Sequence, residues 1–304
     1  MDPAGMAMRP VPGGAFLMGS DRHYPEEGPA RRVAVDPFWM DETPVTNAAF
    51  QRFVEATGHV TLAETAPSLA DYPNADPAML RAGSAVFQQQ PGPAPLRDPS
   101  QWWRFEFGAD WRHPRGPATS LDGLMDHPVV HIAYQDAEDY AAWAGKRLPT
   151  EAEWEFAARG GLEGAAYAWG EELEPGGAVL ANYWHGQFPW ENLDPAAGGR
   201  TSAVKRFAAN PYGFHDLIGN VWELTSDWYA APSPPGPACC TPSNPRGPAQ
   251  SDHLDALGPR KVMKGGSHLC ARNYCQRYRP AARYAQAIDT STSHVGFRCV
   301  KAAT

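Results

Sequence analysis

Glycine and proline recur along the whole chain, with 29 glycines and 31 prolines among its 304 residues. Glycine readily adopts left-handed backbone conformations and proline lacks a backbone N–H, so both interrupt helices and strands. A chain this rich in both is expected to form short strands, few helices and much ordered loop. Its 11 tryptophans and its hydrophobic content of 43% would supply buried area that regular elements do not, which argues against disorder.

Charge and composition exclude several classes of protein. The net charge is −8 and the isoelectric point is about 5.7, so no nucleic-acid partner is expected. Residues 1–14 contain no apolar signal-peptide core and no stretch approaches a membrane span, which predicts a cytoplasmic protein without membrane association. The cysteines are too few and too clustered for a secreted disulfide scaffold. They are Cys239, Cys240, Cys270, Cys275 and Cys299.

Hydrophobic periodicity and cap residues predict only short elements. Strands are expected within residues 11–20, 32–35, 38–40, 127–131 and 296–300, and helices at 48–57, 136–144 and 151–158. Gly58 and Gly160 are placed to end the first and last helices, and Thr150 with Glu153 forms a capping box. Residues 61–125 show little periodicity and predict a long loop pinned to the core by tryptophans, with part of a substrate groove as the alternative. We therefore predict one α+β domain over residues 1–304 with low regular secondary structure.

The segment from 265 to 279 contains the sharpest local feature of the chain. Cys270 and Cys275 are five residues apart, which matches neither one face of a helix nor the spacing of a zinc knuckle, although a local turn could join them. Nearby arginines favour thiolate over thiol. They are Arg272, Arg277, Arg279 and Arg283.

Three interpretations of this segment remain open from its spacing. The first is a structural disulfide or ordinary core cysteines. The second is a zinc site of His268, Cys270 and Cys275, which needs a fourth ligand that the sequence does not place. The third is a two-thiolate site for a soft ion such as Cu(I).

Motifs along the whole chain distinguish these interpretations. They lie at 12–20, 127–131, 143–155, 158–161, 212–214, 219–223, 225–228, 265–267 and 296–299. In these motifs nearly the whole chain resembles the formylglycine-generating enzyme (sulfatase-modifying factor) family, in its actinobacterial type. Most of the motifs mark a broad fold family that also contains iron-dependent ergothioneine-pathway enzymes and non-catalytic domains. Cys270 and Cys275, next to a Gly-Gly-Ser segment, resemble the formylglycine generators themselves.

The resemblance implies a fold, an activity and a set of site residues. It implies an irregular, C-type-lectin-like fold and an O2-dependent oxidoreductase acting on a sulfur group. Cys270 and Cys275 would hold Cu(I) as a near-linear pair, and the cysteine of a Cys-x-Pro-x-Arg segment in an unfolded sulfatase would join as a third sulfur ligand and become formylglycine. Ser267 and Tyr274 would hydrogen-bond or place water, Trp222 would pack, and Arg277 would orient the site or offset thiolate charge. A monomer is expected.

The resemblance also implies calcium. One site would use the carboxylates of Asp216 and Glu223 with the carbonyls of Gly219 and Val221, although acids on a turn are more often simply solvated. A second site would begin at Asn182 and Tyr183. Its usual acidic partner is absent, because Ala196 stands at that position with Asp194 nearby.

The remaining cysteines and histidines suggest no further metal site. Ala158 stands opposite Cys299, where some secreted relatives form a disulfide, and Cys239-Cys240 are vicinal thiols that could bind stray metal. His127 and His131 are predicted to hydrogen-bond within the core. No His-x3-His-x-Glu motif is present, which weakens an iron-dependent oxidase. A non-catalytic peptide- or sugar-binding module is the other alternative.

Overall fold

The structure, a computed structural model, describes residues 3–70, 72–194, 200–231, 241–252 and 258–303. Ala196, Cys239 and Cys240 lie outside these ranges. The helices are α1 (Asn47–Thr57), α2 (Tyr134–Trp143) and α3 (Glu151–Arg159). The strands are β1 (Met8–Val11), β2 (Gly14–Met18), β3 (Arg31–Val35), β4 (Phe38–Asp41), β5 (Gly83–Phe87), β6 (Trp103–Phe107), β7 (Trp222–Trp228), β8 (Arg260–Lys264), β9 (Arg283–Ala287), β10 (Val295–Gly296) and β11 (Val300–Ala302).

The strands form several small sheets rather than one large one. The largest sheet of the described residues has the order β10-β7-β8-β9, with β10 parallel to β7 and the other pairs antiparallel. A second sheet has the order β1-β4-β11, and β2–β3 and β5–β6 are two-stranded. In the described ranges, short strands beside three short α-helices confirm the predicted α+β class with low regular content.

Local cap chemistry places the helices where the sequence predicts them. The Thr46 side chain accepts the Ala49 N–H at the start of α1, and Gly58 ends this helix with a φ of 71°. At α3, Thr150 and Glu153 form the predicted capping box. Gly160 then ends α3 with a φ of 56°, a conformation that glycine adopts without steric cost.

Three expectations about strands are wrong. Residues 128–131 are buried but form only an isolated bridge between Thr46 and Pro128, because the backbone leaves the extended conformation at His131, where φ is 62°. Residues 83–87 and 103–107, inside the predicted loop, pair as β5 and β6. The predicted last strand, 296–300, is divided between β10 and β11.

Buried tryptophans hold the long irregular segments in place, as predicted for residues 61–125. Trp102 and Trp111 are 1% and 2% exposed. Trp102 belongs to a small core with Trp184 and Phe188, separate from the main core and packed beneath the segment that carries Cys270. This aromatic cluster gives an irregular chain a fixed surface near the cysteine pair.

The described cysteines are thiols rather than half-cystines. Cys270, Cys275 and Cys299 form no disulfide within the described ranges, and Cys299 and Ala158 are both fully buried. Across the same ranges, no helix has the length and apolar character needed to span a bilayer.

Candidate active site

A glycine turn and a serine position the first cysteine. Gly265 and Gly266 have φ values of 90° and 72°, and a Cβ at Gly266 would lie 2.7 Å from the Arg277 carbonyl oxygen. The Ser267 carbonyl accepts the Cys270 N–H at 2.9 Å, and the Ser267 N–H donates to the Cys270 Sγ at 3.4 Å. The predicted local turn therefore exists, and it closes on the cysteine sulfur.

The two cysteine sulfurs face each other. Their Sγ atoms are 3.3 Å apart, longer than a disulfide bond of about 2.05 Å and within hydrogen-bonding distance for sulfur. Cys270 is buried and Cys275 is half-buried. Both line a cavity of about 360 Å³ that opens to solvent. The pair is therefore accessible to a bound molecule.

The cavity has two different walls. One is the face of the β7–β8–β9 sheet, which contributes Trp222, Met263 and Tyr284. The other is aromatic, and in it the Tyr274 ring stacks on Phe188 with 4.6 Å between centroids. An extended peptide can lie in an open space between a sheet face and stacked rings.

The two thiols differ in protonation. The hydrogen bond from Cys270, followed by the positive charge of Arg277, lowers the pKa of Cys275 to about 6. Burial, and then the neighbouring Cys275, raises the pKa of Cys270 well above its ordinary value. The Arg277 Nη1 lies 3.7 Å from the Cys275 Sγ. At neutral pH the pair is a thiol at Cys270 donating to a thiolate at Cys275.

This asymmetry predicts selective alkylation of reduced, metal-free protein. Iodoacetamide should label Cys275 before Cys270, with a rate that rises through about pH 6 and then levels off, because the thiolate is the nucleophile. Mass spectrometry of the digested protein would locate the label. Cys270→Ala removes the hydrogen-bond donor to Cys275, so the pH midpoint of the Cys275 labelling rate should move upward. Labelling of Cys270 first, or a rate that rises only above pH 8, would contradict the arrangement.

The four other predicted catalytic residues all line this cavity. The Ser267 hydroxyl is fully buried and accepts the Leu269 N–H at 3.2 Å, so it stabilises the turn. Burial raises the pKa of Tyr274 to about 12, so its hydroxyl remains a proton donor at neutral pH. Trp222 is buried and packs against Tyr284. The fourth residue is Arg277.

The cavity residues that sequence reasoning missed include a histidine. His294 lines the cavity, its Nδ1 lies 2.7 Å from the Thr292 hydroxyl, and its ring packs 4.8 Å from the centroid of Trp103. Burial lowers the pKa of His294 to about 3, so the imidazole is neutral at physiological pH. Its position just before a motif that marks the fold gave no local signal of a place in the site.

The other predicted histidines do not join the cysteines. The His268 Nδ1 donates to the Asn220 carbonyl at 2.7 Å, and His268 lines a separate cavity of about 620 Å³. His131 bonds to Ser84 and to the Pro114 carbonyl within the core, as predicted. Among the residues that the structure describes, no three His, Cys, Asp or Glu side chains group as metal ligands. The zinc interpretation therefore lacks a third ligand here.

The donor set of the pair suits a soft monovalent metal. Two facing sulfurs, one of them anionic at neutral pH, are the ligands that Cu(I) selects. Cys270 and Cys275 would hold such an ion through their sulfurs in place of the hydrogen bond between them. Copper itself remains a prediction.

Comparison with known proteins identifies the family. Residues 3–303 match the family model described as the sulfatase-modifying factor enzyme 1-like domain. The chain belongs to this family. It is 50% identical to the formylglycine-generating enzyme of Mycobacterium tuberculosis over 95% of this chain and 96% of that protein. The Streptomyces coelicolor enzyme of the same name is 44% identical over 95% of this chain and 87% of that protein.

Two further comparisons bear on activity and fold. A mouse relative named inactive C-alpha-formylglycine-generating enzyme 2 is 35% identical over 98% of this chain and 86% of its own length. Family membership therefore does not by itself establish catalysis. The solved structure of PvdO from Pseudomonas aeruginosa superposes with a TM-score of 0.61 at 22% identity, covering 97% of this chain and 94% of that chain. At this identity the likeness shows the fold alone.

The predicted first calcium site of this family member contains one paired and one unpaired carboxylate. Arg298 donates to both oxygens of Glu223 at 2.7 Å, so the charge of Glu223 is already balanced. Asp216 accepts the Lys205 backbone N–H at 2.8 Å and has no cationic side-chain partner among the described residues. Burial raises the pKa of Asp216. A half-buried carboxylate of this kind would be satisfied by a cation, with the carbonyls of Gly219 and Val221 as further ligands.

The residues of the predicted second calcium site have other partners. The Asn182 carbonyl accepts the Asn220 N–H at 2.8 Å, and the Tyr183 hydroxyl donates to Glu174. Asp194 lies 3.3 Å from the Arg206 guanidinium. These contacts give both residues a structural role, and calcium here remains a prediction.

Calcium binding at the first site predicts a ligand-dependent change in stability. Saturating Ca²⁺ should raise the melting temperature by several degrees, since a ligand at 100 times its Kd stabilises by about 2.7 kcal/mol. Asp216→Asn should abolish this rise while leaving the metal-free protein at least as stable, because an acid with a raised pKa disfavours folding when ionised. Scanning calorimetry with and without Ca²⁺ measures both. An equal response in parent and variant would exclude Asp216 as a ligand.

Proposed function

We propose that the chain is a copper- and O2-dependent oxidase that converts the cysteine of a Cys-x-Pro-x-Arg segment in unfolded sulfatases to Cα-formylglycine. Relatives of up to 50% identity over nearly the whole chain that carry the name formylglycine-generating enzyme support the conversion of cysteine to formylglycine. We further propose a monomer acting in the cytoplasm. The observation that carries the proposal is the facing sulfur pair at the base of an open, aromatic-walled cavity.

The protein's own residues prepare the pair to bind a soft metal and a substrate sulfur. Arg277 lies next to Cys275 and lowers the energy of its thiolate, and the Ser267 N–H does the same for the Cys270 sulfur. When bound, copper would supply a redox-active ion that binds the substrate sulfur and passes electrons to O2. Cys270 and Cys275 would hold the ion, and the open side of the cavity would admit the peptide.

The walls would hold the substrate peptide in an extended form. The stacked rings of Tyr274 and Phe188 offer a flat surface for the proline of the motif, as in other proteins that bind proline-containing segments. The Tyr274 hydroxyl, protonated at neutral pH, can donate to a substrate or solvent oxygen. Trp222 closes the opposite wall and limits water near the sulfurs.

The overall reaction balances with a thiol reductant. The substrate cysteine loses two hydrogens, one from Cβ and one from sulfur, and water converts the resulting thioaldehyde to the aldehyde and hydrogen sulfide. O2 accepts two electrons from the cysteine and two from the reductant, and ends as water. The reductant is therefore a required co-substrate of the proposed reaction.

A non-catalytic binding module on the same fold is the second candidate. The relative named inactive favours it, because that protein shares the family. An iron-dependent oxidase is less well supported, because His294 is the one histidine that lines this cavity among the described residues. The binding module would hold the same peptide without consuming O2.

Oxygen uptake tests the copper and O2 dependence directly. Reduced protein is mixed with a Cys-x-Pro-x-Arg peptide and a thiol reductant, and loaded with Cu(I), with Fe(II) or with no metal. Peptide-dependent O2 uptake is expected with Cu(I) alone, and an Ala-x-Pro-x-Arg peptide serves as the control. Uptake with Fe(II) but not Cu(I) would favour the iron enzyme. Peptide binding without uptake under any condition would favour the binding module.

A further inference from the structure

A loop far away in sequence holds the chain that follows the cysteine pair. Residues 19–30 connect β2 to β3 and lie against this part of the molecule. The Tyr24 hydroxyl accepts the Gln276 N–H at 3.1 Å. Glu26 accepts from Nε of Arg277 at 3.1 Å and from its Nη2. The loop therefore fixes both the backbone and the guanidinium next to the second cysteine.

One carboxylate and two aromatic rings hold the Arg277 guanidinium in place. It lies 3.9 Å from the Tyr24 ring centroid and 5.0 Å from that of Tyr284, so two rings enclose it. Glu26 binds one edge of the fork, which leaves Nη1 directed at the Cys275 sulfur, 3.7 Å away. A guanidinium that is fixed at one edge and stacked on its face loses little conformational freedom when its remaining N–H group binds a ligand.

We propose that Tyr24 is a positioning residue of the candidate active site, which acts by holding Arg277 against Cys275 and so stabilises the reduced form of the Cys270–Cys275 pair. Nothing in the local sequence marks this tyrosine, which lies about 250 residues from the pair. A role of Tyr24 in catalysis rests on the proposed function. The test, however, measures only the oxidation state of the two thiols.

Loss of the Tyr24 ring has two structural consequences. The guanidinium would lose one of its two ring partners and the loop would lose its bond to Gln276, so Arg277 would be held less firmly against Cys275. Arg277 also lines the cavity, and a less firmly held side chain could enter the space that a peptide needs. Glu26 would remain as its anchor, which keeps the change local.

The neighbouring pair provides a matched control. Glu27 lies on the same loop and binds the guanidinium of Arg279, with Nη1 at 2.6 Å, and both side chains are almost fully buried. No contact between Arg279 and a cysteine sulfur is found within the described ranges. Arg279 also lies 5.7 Å from the Tyr24 ring centroid and donates to the Gln276 carbonyl at 2.9 Å. Glu27→Gln keeps one acceptor oxygen for Arg279, so it weakens the buried pair while leaving Tyr24, Arg277 and the cysteine pair in place.

The thiol–disulfide equilibrium of Cys270 and Cys275 tests the proposal without metal or peptide. Metal-free protein is equilibrated with glutathione buffers, and the reduced and oxidised fractions are measured by mass spectrometry after alkylation. Tyr24→Leu should shift the equilibrium at least about fivefold toward the disulfide, because the reduced form loses stabilisation. In an Arg277→Met background the same change should shift it by less than about twofold. Glu27→Gln should lower the melting temperature but leave the equilibrium of the folded protein unchanged.

Tyr24→Phe serves as the second variant, since it keeps the ring and loses only the bond to Gln276. It should shift the equilibrium in the same direction by a smaller factor. An unchanged equilibrium in folded Tyr24→Leu protein would overturn the proposal, as would an equal shift in the Arg277→Met background. Either result would leave the proposed oxidase reaction untouched, because no turnover is measured.

Discussion

Replacing Arg298 by methionine is expected to lower the free energy of unfolding by about 3–5 kcal/mol, the cost of leaving a buried charge unpaired. Arg298 and Glu223 are 0% and 1% exposed, and two nitrogens of Arg298 donate to the two Glu223 oxygens at 2.7 Å. Arg298 also donates to the His215 carbonyl at 2.8 Å. The melting temperature should fall on the order of ten degrees.

An exposed ion pair is the matched control for this substitution. Arg32 and Glu163 form a salt bridge with side chains that are 56% and 50% exposed, so Arg32→Met should cost less than about 1 kcal/mol. Glu223→Gln added to Arg298→Met should recover part of the loss, because it removes the stranded charge. Chemical denaturation of the four proteins measures this. Equal destabilisation by Arg298→Met and Arg32→Met would contradict the buried-pair account.

Cys270→Ser and Cys275→Ser should each reduce peptide conversion by roughly three orders of magnitude or more, the scale seen when a residue that forms the reaction centre is removed. Serine keeps the volume and a hydrogen bond but is a hard oxygen ligand that does not select Cu(I). Each variant should also lose tight Cu(I) binding, measured by competition with a Cu(I) chelator. Their melting temperatures should change little, since a serine hydroxyl can keep the hydrogen bond between the two side chains.

Cys299→Ser is the internal control for these variants. Cys299 is fully buried beside β11, away from the cavity, and its N–H donates to Asp41. This change should affect stability rather than conversion or Cu(I) affinity. Retention of full activity by Cys270→Ser or Cys275→Ser would contradict the assignment of both sulfurs to the reaction centre.

The features that could be predicted from sequence are those set by nearby residues. Gly160 and the Thr150–Glu153 box end and begin α3 through contacts within one turn, so their signal is local. The fold class follows from the density of glycine and proline. The turn joining Cys270 and Cys275 spans five residues, and the motifs around it carried the family resemblance.

The features that could not be predicted depend on residues far apart in the chain. β5 and β6 pair across a 15-residue connection in a region without clear alternation, so neither strand was evident alone. His294 and Tyr24 reach the site through tertiary packing, the latter across about 250 residues. The pairing of Glu223 with Arg298, which balances the charge of a predicted calcium ligand, also joins residues far apart in the chain. No spacing between residues in the sequence reveals this pair.

Mass spectrometry of a Cys-x-Pro-x-Arg peptide after incubation with Cu(I)-loaded protein, a thiol reductant and air is the most direct test of the central claim. We predict that the motif cysteine alone acquires the mass of formylglycine and reacts with a hydroxylamine probe. Cys275→Ser protein should leave the peptide unchanged. A peptide that stays unmodified although copper is bound stoichiometrically at the Cys270–Cys275 pair would contradict the oxidase account and favour a binding module on this fold.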